Sequence, residues 1–267
     1  MTFRSPKFAL AAGTAIAFAL VGASRAEAFT FTTNFTPSLA GANAPRGDIW
    51  LNSVFYDSQT FDQFSLVQGA NIVANNLWTG GDTGAASADR GTLATTGVRA
   101  ENPTAANIVT NLGNLNLNNI IDGEDRGSYT LDLMFDRAAR DVLVWERGMN
   151  SRMTLQALGA GGTLLGSTFT ITQDLWQNAG FRLGTEEIAG TPSPIQNVGS
   201  WGVSAADFGL DSDRIYGVRV IADGSIDNGP DFKLVGTAAV PEPSLVFGFG
   251  ALALMGVASR RRRSNAA

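Results

Sequence analysis

The strongest constraint on the fold is a series of short segments in which apolar and polar residues alternate. In Phe29-Thr30-Phe31-Thr32-Thr33-Asn34-Phe35 the phenylalanines fall on one side and Thr30, Thr32 and Asn34 on the other. That period of two belongs to a half-buried strand. It returns at Ile49 to Tyr56, Tyr129 to Phe135 and Asp141 to Glu146, and further strands are expected at Met153 to Leu158, Thr163 to Thr172, Arg214 to Ile221 and Asp231 to Val235. Gly80-Gly81-Asp82-Thr83-Gly84, Gly159-Ala160-Gly161-Gly162 and Asp223-Gly224 punctuate them with residues that tolerate the positive φ of tight turns. Many short strands with such punctuation predict an all-β fold, an antiparallel β-sandwich of jelly-roll-like form. One short helix is expected over Ala105 to Leu112, capped by Asn102, with Pro103 at its first position and Ala105, Ile108, Val109 and Leu112 on one stripe before Gly113. The Asn-rich run Asn111 to Asn119, with Leu115 and Leu117 turned inward, reads as a short strand or an ordered loop.

The chain has no Cys, so no disulfide can staple it, and stability must come from a sizeable core. It also has no His, which removes the usual general base, the commonest metal ligand and every Ser-His or Cys-His pairing. The two lysines are Lys7 and Lys233, so Schiff-base chemistry would rest on Lys233, around which the sequence suggests no pocket.

The two ends differ from the middle. Arg4 and Lys7 precede an apolar stretch from Phe8 to Val21, and Ala26-Glu27-Ala28 supplies a small-x-small cleavage site, so residues 1–28 read as a signal peptide cut after Ala28 by signal peptidase. At the other end Pro241-Glu242-Pro243 leads into an apolar run over residues 244–259, read as a transmembrane helix, and then Arg260, Arg261, Arg262 and Arg263. The prolines disfavour helix before the run, and the arginines would stay on the cytoplasmic side. Between these ends residues 29–238 read as a single extracytoplasmic domain of about 210 residues, a size one all-β domain reaches. The two ends carry Arg4, Lys7, Arg25 and Arg260 to Arg263, so the domain is more acidic than the whole chain, whose net charge is −5. Nucleic acid is therefore not expected as a partner.

The tripeptide Pro241-Glu242-Pro243, the apolar run and the arginine cluster of residues 239–267 resemble the PEP-CTERM sorting signal handled by exosortase enzymes. The resemblance implies anchoring in the membrane through the C-terminal helix, then cleavage near Pro241 to Pro243 and release to the cell surface or beyond, often alongside exopolysaccharide. A plain anchor that is never cut is the alternative. Residues 28–35, Asn43-Ala44-Pro45-Arg46-Gly47-Asp48-Ile49, Leu51-Asn52-Ser53-Val54 and Val144-Trp145-Glu146-Arg147-Gly148 are similar to a cyanobacterial-type family of exosortase-dependent surface proteins of unassigned activity. That resemblance implies no catalytic residues.

Without His or Cys, hydrolysis would need paired carboxylates, for which Glu146, Glu124, Asp125 and the pair Glu186-Glu187 are candidates. Glu146 follows Trp145, which could raise its pKa and stack on a sugar, but a surface ion pair with Arg147, Arg140 or Arg152 is the favoured reading. No cofactor is required. Calcium is the one candidate, on the acidic loops Asp122 to Asp125 and Asp223 to Asp231, with Asp223, Asp227 and Asp231 as ligands, although turn-forming Asp is the commoner explanation. Of the five Trp, Trp78 and Trp176 sit in polar surroundings and are the better candidates for exposure and glycan stacking, whereas Trp50 and Trp145 lie in strand-like runs; core burial is the favoured reading for most of the five. The expected function is that of an exported, non-enzymatic structural or interaction protein of the cell surface or matrix. A lectin-like carbohydrate-binding domain and a carboxylate-based glycoside hydrolase are the two alternatives.

Overall fold

A computed structural model of the chain describes residues 28–81, 83–187, 191–192 and 194–239. The segments read as a signal peptide and a sorting tail lie, apart from Ala28 and Ala239, outside the described residues, and no helix among the described residues is long and apolar enough to cross a membrane. In order, the chain forms β1 (Thr32–Pro37), β2 (Ile49–Tyr56), β3 (Gln59–Phe61), β4 (Phe64–Ser65), β5 (Val67–Asn75), β6 (Ala86–Arg90) and the helix α1 (Ala105–Leu112). There follow β7 (Asn119–Gly123), β8 (Ser128–Arg147), β9 (Met153–Leu158), β10 (Leu164–Ile171), β11 (Gln177–Leu183), β12 (Glu186–Glu187), β13 (Thr191–Pro192), β14 (Gln196–Ser204), β15 (Ile215–Asp223), the one-turn helix α2 (Gly224–Asp227) and β16 (Phe232–Ala238). Every pairing between these strands is antiparallel, as the all-β expectation requires.

The architecture turns on β8, in which the two strands expected at Tyr129 to Phe135 and Asp141 to Glu146 run together as 20 residues. Its first half pairs with β5 and β15, and β15 continues the sheet through β9 to β10. Its second half pairs with β14 on one side and β16 on the other. Between them the register breaks: on β15 Gly217 faces Met134 while Ile215 faces Ala139, which leaves Phe135 to Ala138 as a large bulge. Bulges bend strands, and the exposed Asp136 and Arg137 mark the outside of this one.

Leu131 and Leu133 from the first half meet Val142 and Val144 from the second in one hydrophobic core, joined by Val218 and Val220 of β15, Leu155 of β9, Leu234 of β16 and Ile108 and Leu112 of α1. The opposite face of the second half, Leu143 and Trp145, packs under the separate sheet β1-β2-β3 with Phe31, Ile49, Leu51, Val54, Phe181 and Leu183. Residues Asp141 to Arg147 are accordingly all buried. This two-sided cover explains why Val142-Leu143-Val144-Trp145 is a continuous apolar run, each such side chain contributing roughly 1.5–3 kcal/mol by burial.

The helix forms where expected but starts differently. Thr104 is its cap: the Thr104 hydroxyl accepts the Asn107 N–H at 3.2 Å, and Asn107 Oδ1 accepts the Thr104 N–H at 2.9 Å. Asn102 precedes Pro103, which disfavours helical geometry at that position, and its side chain instead accepts the Trp78 N–H at 2.9 Å. The expectation of a single helix also needs correcting, since α2 adds a second, in the loop considered for calcium.

The Asn-rich run is an ordered loop leading into β7, and its amides form a buried polar layer. Asn111 donates to the carbonyls of Asp89, Val98 and Ile120 and accepts the Val98 N–H at 2.8 Å. Asn116 links Asp48 to the Ile49 N–H, and Asn118 donates to the carbonyls of Pro45 and Gly47. Burial pushes the Asp48 carboxyl up, but the hydroxyls and N–H groups of Thr95 and Thr96 together outweigh it and hold the group below its ordinary value. Replacing Asn111 by Ala leaves these buried backbone groups without partners and is expected to cost at least about 2 kcal/mol in urea unfolding; a change within about 0.5 kcal/mol would contradict this role.

Candidate functional site

Both ends of β8 come back to one place. The turn after β7 (Gly123 to Asp125), the end of β8 and the segment between α2 and β16 surround a polar cleft of about 210 Å³ lined by Glu101, Asp122, Gly123, Glu124, Asp125, Arg147, Asn150, Gln196, Asn228, Gly229 and Asp231. The loops approach backbone to backbone. Gly229 has φ +43°, and a Cβ built there would lie 2.0 Å from the Gly123 oxygen, so only glycine fits.

Asp231 is the anchor of the cleft wall. Its carboxylate accepts from the Arg147 guanidinium and from the Gly123 N–H at 3.1 Å, and its carbonyl accepts the Arg147 N–H at 2.9 Å. Arg147, itself 3% exposed, also donates to the Pro194 carbonyl at 3.2 Å. Asp122 lines the same wall beside Asp231. Burial, and then the neighbouring Asp122 carboxylate, push Asp231 well above the ordinary carboxylate range in spite of Arg147.

Glu146 points away from the cleft. It is 1% exposed, accepts the Ser151 hydroxyl at 2.7 Å and the Met149 N–H, and sits behind Trp176, whose indole N–H donates to the Ser151 carbonyl at 2.8 Å. Burial lifts its pKa from the ordinary 4.5 to about 7. The expected surface ion pair is thus overturned, because the alternating strand turns Glu146 to the inner face while Arg147 goes to Asp231.

The other candidates scatter. Trp176 is buried at 4% exposure, contrary to the reading from its polar neighbours, while Trp50 in β2 is 36% exposed. Trp78 is half-buried with its indole N–H on the Gly81 carbonyl at 3.0 Å, outside the cleft. Glu186 pairs with Arg99 at 3.2 Å. Asp223 caps α2 through the Ser225 N–H, Asp227 accepts the Asp223 N–H at 2.9 Å, and Asp231 is committed to Arg147, so these three do not converge as a calcium ligand set. Among the described residues no three acidic groups are placed to hold a metal ion. Of the predicted residues, Asp122, Glu124, Asp125 and Asp231 do line the cleft. Glu101, Asn150 and Gln196 were not foreseeable, since only the folding of distant segments brings them there.

The Glu146 environment sets a pH dependence. The native state holds the Glu146 proton more tightly than the unfolded chain, so this contribution is complete below pH 4.5 and is lost as pH rises through about 7. Glu146→Gln keeps the shape of the protonated acid. In denaturant titrations it should match the wild type near pH 4.5 and exceed it near pH 8, by up to about 3 kcal/mol; a constant difference across that range would refute the assignment.

No protein-family model, no curated protein and no solved structure matches this chain.

Proposed function

We propose that the chain is an exported surface protein whose single β domain is carried to the membrane by its C-terminal tail, processed by an exosortase within Pro241 to Pro243, and displayed as a non-catalytic interaction module. The observation that carries this reading is the position of the chain ends relative to the cleft. Phe29 bridges Gly202 of β14, and the Ala28 N–H donates to Asp207 at 2.8 Å, just past the Ser204 that faces Asp141. At the other terminus Ala238 faces Ala139 and the Ala239 N–H donates to the Ala138 carbonyl. Both ends therefore leave beside the bend of β8. Arg147, at the cleft, is eight residues from Ala139 along the strand, about 26 Å at the usual rise. A domain tethered by its tail would hold its membrane side at the bend and its cleft toward the outside.

A glycan-binding role is the second reading, favoured by the predominantly polar lining of the cleft with its amides Asn150, Asn228 and Gln196. Exopolysaccharide is then the natural partner. The hydrolase reading finds less support: the Asp231 carboxylate is committed to Arg147 and the Gly123 N–H, and Glu146 is not part of the cleft lining.

Mass measurement on protein recovered from the surface of the producing cells tests the itinerary. The expected molecule begins at Phe29 and ends within Pro241 to Pro243; retention of residues beyond Pro243 would contradict exosortase processing. A glycan array probed with the same material should show binding that Asn228→Ala weakens at least about tenfold if the cleft is the glycan site, and no binding to any glycan would eliminate that second reading.

A further inference from the structure

Lys233 lies on β16 opposite Trp145, and its side chain is wholly buried, at 0% exposure. Its Nζ donates to the Asn111 carbonyl and lies 3.4 Å from Asn114 Oδ1. Both partners are neutral oxygens. Burial alone acts on the ammonium and pushes its pKa well down, which favours the uncharged, nucleophilic amine.

The Asn114 amide is held for attack. Its Oδ1 accepts the Asn116 N–H at 2.8 Å and the Asn119 amide at 3.4 Å, two donors placed where negative charge would develop on that oxygen. Its Nδ2 donates to the Thr110 carbonyl at 2.7 Å and to the Asn111 carbonyl at 3.3 Å, so the amide plane is fixed, and the two nitrogens share the Asn111 oxygen as an acceptor. Asn114 is only half-buried, which leaves its amide nitrogen a way out to solvent.

We propose that Lys233 and Asn114 are joined after folding by an intramolecular isopeptide bond. The Nζ lone pair attacks Asn114 Cγ, and the carbonyl electron pair moves onto Oδ1 between the Asn116 N–H and the Asn119 amide. Collapse of this intermediate breaks the Cγ–Nδ2 bond. The proton shed by Nζ goes to the departing nitrogen, which leaves as ammonia, and the product is a secondary amide that keeps one N–H for the Asn111 carbonyl. No oxidant, reductant or external reactant is needed. The bond removes a buried ionisable group and ties β16, the strand leading to the C-terminal tail, to the loop after α1. A Cys-free chain would thereby gain a covalent staple.

Mass spectrometry of the full chain decides. The polypeptide should weigh one ammonia less, about 17 Da, than the sequence between its own observed ends, and trypsin should yield a branched peptide joining the Lys233 and Asn114 segments with no cleavage after Lys233. Asn114→Asp should lose one water, about 18 Da, in forming the same branch. A full-mass wild type, cleavage after Lys233, or a 17 Da loss confined to a linear peptide such as one cyclised at Asn228-Gly229 would each overturn the proposal.

Discussion

The bend in β8 is the constraint on which the rest of the domain depends. One strand supplies the inner residues of both sheet segments, so Leu131 and Leu133 face Val142 and Val144 within a single core. An antiparallel strand folded back in this way has two consequences. Its ends meet, placing the turn before Ser128 and the residues after Arg147 around one cleft, and its middle forms the opposite pole, beside Ala28 and Ala239. The bulge from Phe135 to Ala138 is what converts a continuous strand into a sandwich.

Much of this was legible in the sequence. Ile49 to Tyr56 and Met153 to Leu158 coincide with β2 and β9, since each has one face in the core and one toward solvent or a polar neighbour. The polar bulge at Asp136-Arg137 made β8 read as two strands, because alternation lapses there although the backbone pairing resumes. β5, β6 and β7 were not legible. Ala86 to Arg90 buries Ser87 and Asp89 beside Ala86 and Ala88, and Asn119 to Gly123 buries an Asn and an Asp, so neither shows a polar face. β6 and β7 pair with each other across more than 25 residues of intervening chain, so their burial is set by tertiary pairing and leaves no local pattern.

The same gap separates the site from its sequence signal. Trp176 has polar neighbours in sequence, yet its indole closes over Ser151 from across the sheet. Asp231 looked like a turn or calcium residue, and becomes the partner of Arg147 and of the Gly123 N–H because the ends of β7 and β8 meet the start of β16. Residue absences were more informative: a chain without Cys or His places its interior polarity on Asn, Asp, Thr and Ser, with Glu146, Arg147 and Lys233 as the other buried charged residues among those described. The result is a rigid polar layer beside the apolar core.

The two-pole arrangement places both ends of the described domain away from the cleft. Because the chain has no native Cys, pairs of single cysteines at Ala28, Ala239 and Asn228 can be spin-labelled cleanly and their separations read by pulsed electron resonance. Ala28 and Ala239 are expected to lie nearer to each other than either does to Asn228. A separation between Ala28 and Ala239 as long as those to Asn228 would contradict it.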